Sequence, residues 1–203
     1  MADRTELVAL IESPPLFLDH TDPVLRRMAI TALSSESCNE LFDAVAALLG
    51  DENDFVRAAA AEKLGECGVR ALDHLSKAAD DPEPKVREAV ATAYGELSDP
   101  SAISWLILVG NDDADRTVKE AAVAALGAIG DESAIDALLG FISSGPPQVR
   151  RRAIAAITVF DDPRIEPAIQ RAALDRNPGV REAAEMVVGK QLAVHSVGRR
   201  KEN

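Results

Sequence analysis

An apolar residue followed at once by a base returns along the chain at near-equal steps. The anchors are Leu25, Val56, Val86, Val118, Val149 and Val180, separated by 31, 30, 32, 31 and 31 positions, and the bases behind them are Arg26, Arg57, Arg87, Lys119, Arg150 and Arg181. Four residues after each anchor stands a small side chain: Ala29, Ala60, Val90, Ala122, Ala153 and Ala184. Seven and eight residues on come pairs such as Ala93 and Tyr94, Ala125 and Leu126, or Ala156 and Ile157. Positions 0, +4, +7 and +8 form one stripe of an α-helix, so each anchor opens an amphipathic helix, the second of its repeat. Between these lie other segments with apolar residues three and four apart, at 41–49, 71–79, 102–109, 134–142 and 165–174, with a short one at 4–11. They predict the first helices.

Turn chemistry separates the two sets. Asp99-Pro100, Gly130-Asp131 and Asp162-Pro163 precede first helices, whereas Asp81-Pro82, Gly145-Pro146-Pro147 and Asn177-Pro178 precede second helices. Asp and Asn cap free amides there, and Pro is tolerated in a first turn. The remaining glycines read as helix terminators. A unit copied at this period predicts an all-α fold, an α-solenoid: a right-handed superhelix of about six helical hairpins. The expected organisation is one domain over 1–195, with repeats near 1–35, 36–66, 67–97, 98–129, 130–160 and 161–195, and a disordered basic tail at 196–203. First helices are expected on the convex side and second helices along a concave groove.

Composition narrows what such a surface holds. The chain has one Trp, one Tyr and five Phe, so its interior is built from small side chains that let helices approach closely. A formal charge of −12 argues against nucleic acid, whose phosphates require a surplus of Lys and Arg. The charge is uneven: residues 1–143 carry 11 basic and 27 acidic side chains, and residues 144–203 carry 11 and 7. Cys38 and Cys67 show no metal-ligand spacing and read as reduced thiols, with Cys67 a small core residue where later repeats have Leu97 and Ile129. No basic leader precedes an apolar run, and no apolar stretch reaches the length of a membrane span. No membrane association and cytoplasmic residence are therefore expected.

The stretch from Val118 to Leu138, V-K-E-A-A-V-A-A-L-G-A-I-G-D-E-S-A-I-D-A-L, resembles the short HEAT-like repeat of the phycobilisome-lyase type, and the resemblance runs along nearly the whole chain. It implies a ladder in which an acid six residues before each base pairs with that base or with its neighbour's. Asp51 and Arg57, Asp81 and Arg87, Asp113 and Lys119, and Asp175 and Arg181 fit this ladder, whereas His20 and Ser144 stand in the acid's place before Arg26 and Arg150. A charge-assisted hydrogen bond in that position would fix successive hairpins in register.

Little in the sequence converges on catalysis. His20 lies in a loop, His74 on a first helix and His195 near the end, without the repeated His-Glu pairs of the HEAT-like hydroxylases that hold iron. There is no P-loop, no G-x-S-x-G and no dinucleotide fingerprint, and the acidic turns lack calcium-loop spacing. No catalytic residue, cofactor or metal is expected. The bilin lyases from which the repeat takes its label are the enzymatic alternative, as a lyase-type subunit or a chaperone-like chromophore-protein factor, but Tyr94 and Trp105 stand apart and mark no chromophore pocket.

The expected function is non-catalytic: a scaffold, adaptor or regulatory subunit, monomeric, that binds another protein or peptide in the groove. The helical wheel places positions +2 and +6 away from the core stripe. From these come the candidate partner-binding residues Glu62, Glu88, Thr92, Glu120, Arg151 and Ala155, with Arg152 beside them. Position +5 adds Val123 and Ile154, in a strip with Ile30, Ala61 and Ala91, so a partner with basic and apolar faces is expected. Because the sign of charge changes just before Arg150, the partner is expected to meet both the central acids and the Arg151 cluster.

Overall fold

The second helices begin where a polar side chain takes over amides that no helical turn can satisfy. Asp22, Asn53, Asp115 and Asn177 accept from the amides of Val24, Phe55, Thr117 and Gly179 at 2.9, 3.1, 2.7 and 3.0 Å. The helices so opened are α2 (Pro23–Ala32), α5 (Asp54–Gly65), α9 (Arg116–Ile129) and α13 (Pro178–Gly198), joined in the same role by α7 (Pro84–Leu97) and α11 (Pro147–Ala156). First helices are α1 (Arg4–Glu12), the broken pair α3 (Ser35–Glu40) and α4 (Phe42–Ala47), α6 (Leu72–Ala78), α8 (Ile103–Asp112), α10 (Ile135–Ser144) and α12 (Ile165–Ala172). This computed structural model describes residues 4–198, with side chains to residue 189, and no strand occurs among them. The fold is an all-α solenoid.

Contacts divide the chain into two compact units, Met1–Asp99 and Pro100–Asn203. In the first, α5 packs between α2 and α7; in the second, α11 packs between α9 and α13, while α8, α10 and α12 each pack on the second helix that follows. The anchors are buried, as are the small residues four positions on.

The buried face of each second helix is wider than one stripe. Ile30, Ala61, Ala91, Val123 and Ile154, expected as a groove-lining strip, are all 0% exposed. A second helix packs on the first helix of its own repeat and, within each unit, on the second helices beside it, as α5 does on α2 and α7. The following second helix lies against +9 in α5 and α9. Gly65 and Gly127 occupy +9: Gly65 is the last residue of α5, whereas Gly127 lies inside α9 and does not terminate it. A Cβ added at Gly127 would lie 2.8 Å from Ala156 Cα, and one at Gly65 would lie 3.0 Å from Ala93 Cα. Gly130, by contrast, does end α9, in the left-handed conformation at φ 69°.

Two further expectations change. The first helix of the second repeat starts at Ser35, earlier than its apolar periodicity indicates, because Ser34 caps the amide of Ser37 at 3.1 Å. The last helix continues to Gly198, into the stretch expected to be a tail, and residues 199–203 lie outside the described residues.

Both cysteines are buried, Cys67 as expected, but they are not reduced. Cys38 and Cys67 form a disulfide that joins α3 to the turn after α5 across a sequence separation of 29. Such bonds persist in oxidising compartments.

Both features generate tests by thermal or urea denaturation. Gly127→Ala should destabilise the protein by about 2 kcal/mol, because the backbone of Ala156 leaves no room, although helix propensity alone would make the change favourable. Reduction with dithiothreitol should lower stability by about 3–4 kcal/mol, the loop-closure value for that separation, and should leave a Cys38→Ser/Cys67→Ser variant unaffected.

Candidate functional site

The base after each anchor does two jobs with one planar guanidinium. Arg26 Nε and Nη2 donate to the Asp51 carboxylate at 2.8 and 2.7 Å, while its Nη1 donates to the carbonyls of His20 and Thr21 at 2.8 and 3.2 Å. Arg57 repeats this with the Asp81 carboxylate at 2.7 and 3.0 Å and the carbonyls of Asp51 and Glu52 at 2.9 and 3.3 Å. In the second unit Arg150 binds the Asp175 carboxylate at 2.8 and 2.7 Å and the Gly145 carbonyl at 2.6 Å. Arg87 and Arg181 reach the carbonyls of Asp81 and Asp175 at 2.7 and 2.8 Å.

Each described carboxylate rung therefore runs from a base to the acid of the following repeat, and the base of the acid's own repeat takes its carbonyl instead. His20 and Ser144 do not break the ladder at Arg26 and Arg150, since the side chain six residues back is not the partner. The gap falls one repeat earlier. Lys119 is followed in the next turn by Ser144, and its ammonium donates to the Asn111 carbonyl at 2.7 Å.

Asp51, Asp81 and Asp175 also accept from the amides of Asn53, Glu83 and Asn177 at 2.8, 2.9 and 2.7 Å. Asp113 caps its own turn in the same way, accepting from the amide of Asp115 at 2.8 Å. Burial alone would raise the Asp51 and Asp81 carboxyls, but the hydrogen bonds from Arg26 and Arg57 and from these amides hold both below the ordinary aspartate value of 3.8. Hydrogen bonds from Arg150 lower Asp175 likewise. A second set of inter-repeat contacts escaped the sequence pattern. Arg70 donates to the Asn39 carbonyl at 2.7 Å, Ser35 to Glu66 at 3.0 Å, and Arg164 to Asp136 at 2.6 Å.

With these faces occupied, what remains of each second helix is the side carrying +2 and +6. In the first unit Arg27, Thr31, Glu62 and Thr92 are exposed and Glu88 is half-buried, with the Thr92 hydroxyl donating to the Glu88 carbonyl at 3.0 Å. Burial raises the Glu62 carboxyl, the Glu88 charge raises it further, and Arg27 opposes them. Glu96 is raised by burial and by the charges of Glu66 and Glu62. An aromatic the wheel did not single out lies at the edge of this face: Phe55, 53% exposed, beside Val24, 54% exposed, in a hollow of about 350 Å³. Lys85 Nζ sits 3.6 Å from the centroid of the Phe55 ring and pairs with Asp54. Position −1 carried the signal, because an apolar Phe directly before an anchor cannot share its stripe.

In the second unit Glu120, Arg151, Arg152 and Ala155 line one open cleft of about 290 Å³ with Glu182 and Met186. Val123 and Ile154 are not in it; both belong to the core. Among the described residues no group of three or more His, Cys, Asp or Glu stands close enough to hold a metal ion, and no helix is long and apolar enough to cross a membrane.

The profile describing HEAT repeats matches residues 15–82 and 72–145. A chain of the CpcE–CpcF complex of phycocyanin lyase from Nostoc sp. PCC7120 is 26% identical, with a TM-score of 0.65 over 86% of this chain and 74% of that one. The YibA protein of E. coli is 18% identical, with a TM-score of 0.68 over 97% and 79%. A designed armadillo repeat protein in complex with the peptide (KR)4 is 19% identical, with a TM-score of 0.60 over 89% and 98%. The last two likenesses show the fold alone. No curated protein matches the chain in sequence.

The carboxylates divide by sign of shift, which sets the pH dependence of stability. Asp51, Asp81 and Asp175 are depressed, so their stabilisation is complete above the ordinary value of 3.8 and is lost as pH falls through their lower folded values. Glu62 and Glu96 are raised, so their destabilisation is present at neutral pH and is relieved as pH falls through their folded values towards 4.5. Stability by urea denaturation should rise slightly on acidification from neutrality, then collapse below about pH 4. Glu62→Gln should flatten the rise and leave the collapse in place.

Proposed function

The chain belongs to the HEAT-repeat family, and on that premise we propose that it is a non-catalytic protein-binding scaffold whose partner lies on the exposed +2/+6 face of the second helices. The observation that carries this reading is what is left over. The core stripe, the +5 and +9 side and the ladder base commit every other face of these helices to neighbouring repeats. Charged side chains remain outward on the uncommitted one. In the first unit that face combines Glu62 and Glu88 with the exposed apolar edge of Val24 and Phe55, which suits a segment with basic and apolar side chains. The Glu62 carboxyl, held up by burial and by the Glu88 charge, is relieved by an incoming cation. The (KR)4 peptide bound by the designed armadillo protein is a probe of that chemistry.

A second reading, a subunit of a bilin-attaching lyase, is favoured by the likeness to a chain of the phycocyanin lyase complex. Incubation with a bilin and an apo-phycobiliprotein, followed by absorbance, separates the two, since a scaffold produces no covalent adduct.

Fluorescein-labelled (KR)4 should bind the full chain saturably by anisotropy, and more weakly as salt rises. Glu62→Lys with Glu88→Lys should weaken binding about tenfold while the melting temperature stays within a few degrees of the parent. Equal binding by the folded double variant would move the interface off this face.

A further inference from the structure

The cleft of the second unit has a chemistry of its own, opposite to the acidic face of the first. Its walls are the outward sides of α11 and α13. Arg150, which precedes it in sequence, is buried and saturated by Asp175 and the Gly145 carbonyl, so its charge is spent inside the ladder. Arg151 and Arg152 are different. Both are exposed, and neither forms an ion pair among the described residues, although Glu120 and Glu182 line the same cleft. Glu120 is engaged by Arg116 at 3.3 Å on its own helix. Gly179 lets the Arg151 stem lie against α13, since an added Cβ there would stand 3.3 Å from Arg151 Cδ. Below the guanidiniums the cleft is apolar, with Ala155, Ala183 and Met186, the last 58% exposed.

We propose that this cleft binds an acidic-apolar peptide segment of a protein partner, one carboxylate meeting Arg151 and Arg152 and a neighbouring apolar side chain resting on Ala155, Ala183 and Met186. This rests on the scaffold reading and names the partner's chemistry at one end of it. Two unpaired guanidiniums beside an apolar surface make an open seat for a planar carboxylate, which they can hold in the forked geometry of paired N–H donors. A volume of about 290 Å³ fits a side chain or two and falls short of a cofactor. Glu120 and Glu182 select against a more highly charged ligand, because a phosphate dianion placed between them meets repulsion that a single carboxylate meets only in part. They also give specificity, since a segment of uniform negative charge would be pushed away at the edges.

The test is fluorescence anisotropy on the full chain at low salt, with a fluorescein-labelled peptide of alternating Glu and Leu as probe and (KR)4 as its counterpart. The acidic peptide should bind saturably. Arg151→Glu with Arg152→Glu should weaken it about tenfold or more, Met186→Asp should weaken it with the arginines intact, and Arg151→Lys with Arg152→Lys should retain part of the affinity. Binding of (KR)4 should survive all of these changes, and circular dichroism should show each variant folded. No binding of the acidic peptide to the parent chain, or equal binding by the charge-reversed variant, overturns the proposal. If (KR)4 still binds through Glu62 and Glu88, the scaffold reading stands while this one falls; if neither peptide binds, both fall. Displacement of the acidic peptide by equimolar inorganic phosphate would show a simple anion site, and would also overturn it.

Discussion

The structure depends on an arginine that belongs to two repeats at once. Its Nη1 holds the carbonyls of the turn that begins its own helix, and its Nε and Nη2 hold the carboxylate of the next turn. A lysine cannot do this, because a single ammonium has no fixed fork. The one place where the next acid is missing, Ser144, is also the one place where the base is a lysine, Lys119. The two substitutions answer each other: without a carboxylate to receive it, a fork has no use. Elsewhere the rung ties one hairpin to the next, as Arg57 does with Asp81 at the step where Gly65 comes against Ala93.

The repeat period, the second helices, the capped turns and the ladder residues were legible in the sequence because each rests on local spacing. What failed had a common cause. A helical wheel drawn from one stripe sees one neighbour, whereas a second helix in a stack packs on several, so Val123 and Ile154 looked outward although both are buried. The same blindness made Gly127 look like a terminator. The ladder's direction was unreadable for a related reason: Asp51 lies six residues before Arg57 and 25 after Arg26, and only the stacking of hairpins makes the longer separation the shorter distance. Ser35–Glu40 hid because a polar segment carries no apolar period, and the Cys38–Cys67 bond hid because pairing follows distance in space.

Of the candidate site, the +2 and +6 positions are exposed or half-buried, whereas the +5 positions are buried. Their loss changes the expected partner surface, since the apolar component must come from elsewhere. In the first unit it comes from Val24 and Phe55, at the start of the helices, and in the second from Met186 and the alanines of the cleft. Charge then distinguishes the units. The first presents carboxylates that repel one another, and the second presents guanidiniums without carboxylate partners, so a partner reading both would carry segments of opposite sign.

That the rung couples adjacent repeats, and does more than decorate their surface, is tested most directly by a double-mutant cycle on Arg57 and Asp81 in urea denaturation. The account predicts a coupling energy of about 1–3 kcal/mol. It also predicts that each single variant costs more than the coupling energy, because the arginine additionally holds the carbonyls of Asp51 and Glu52 and the aspartate the amide of Glu83. Additive effects with coupling near zero would contradict it.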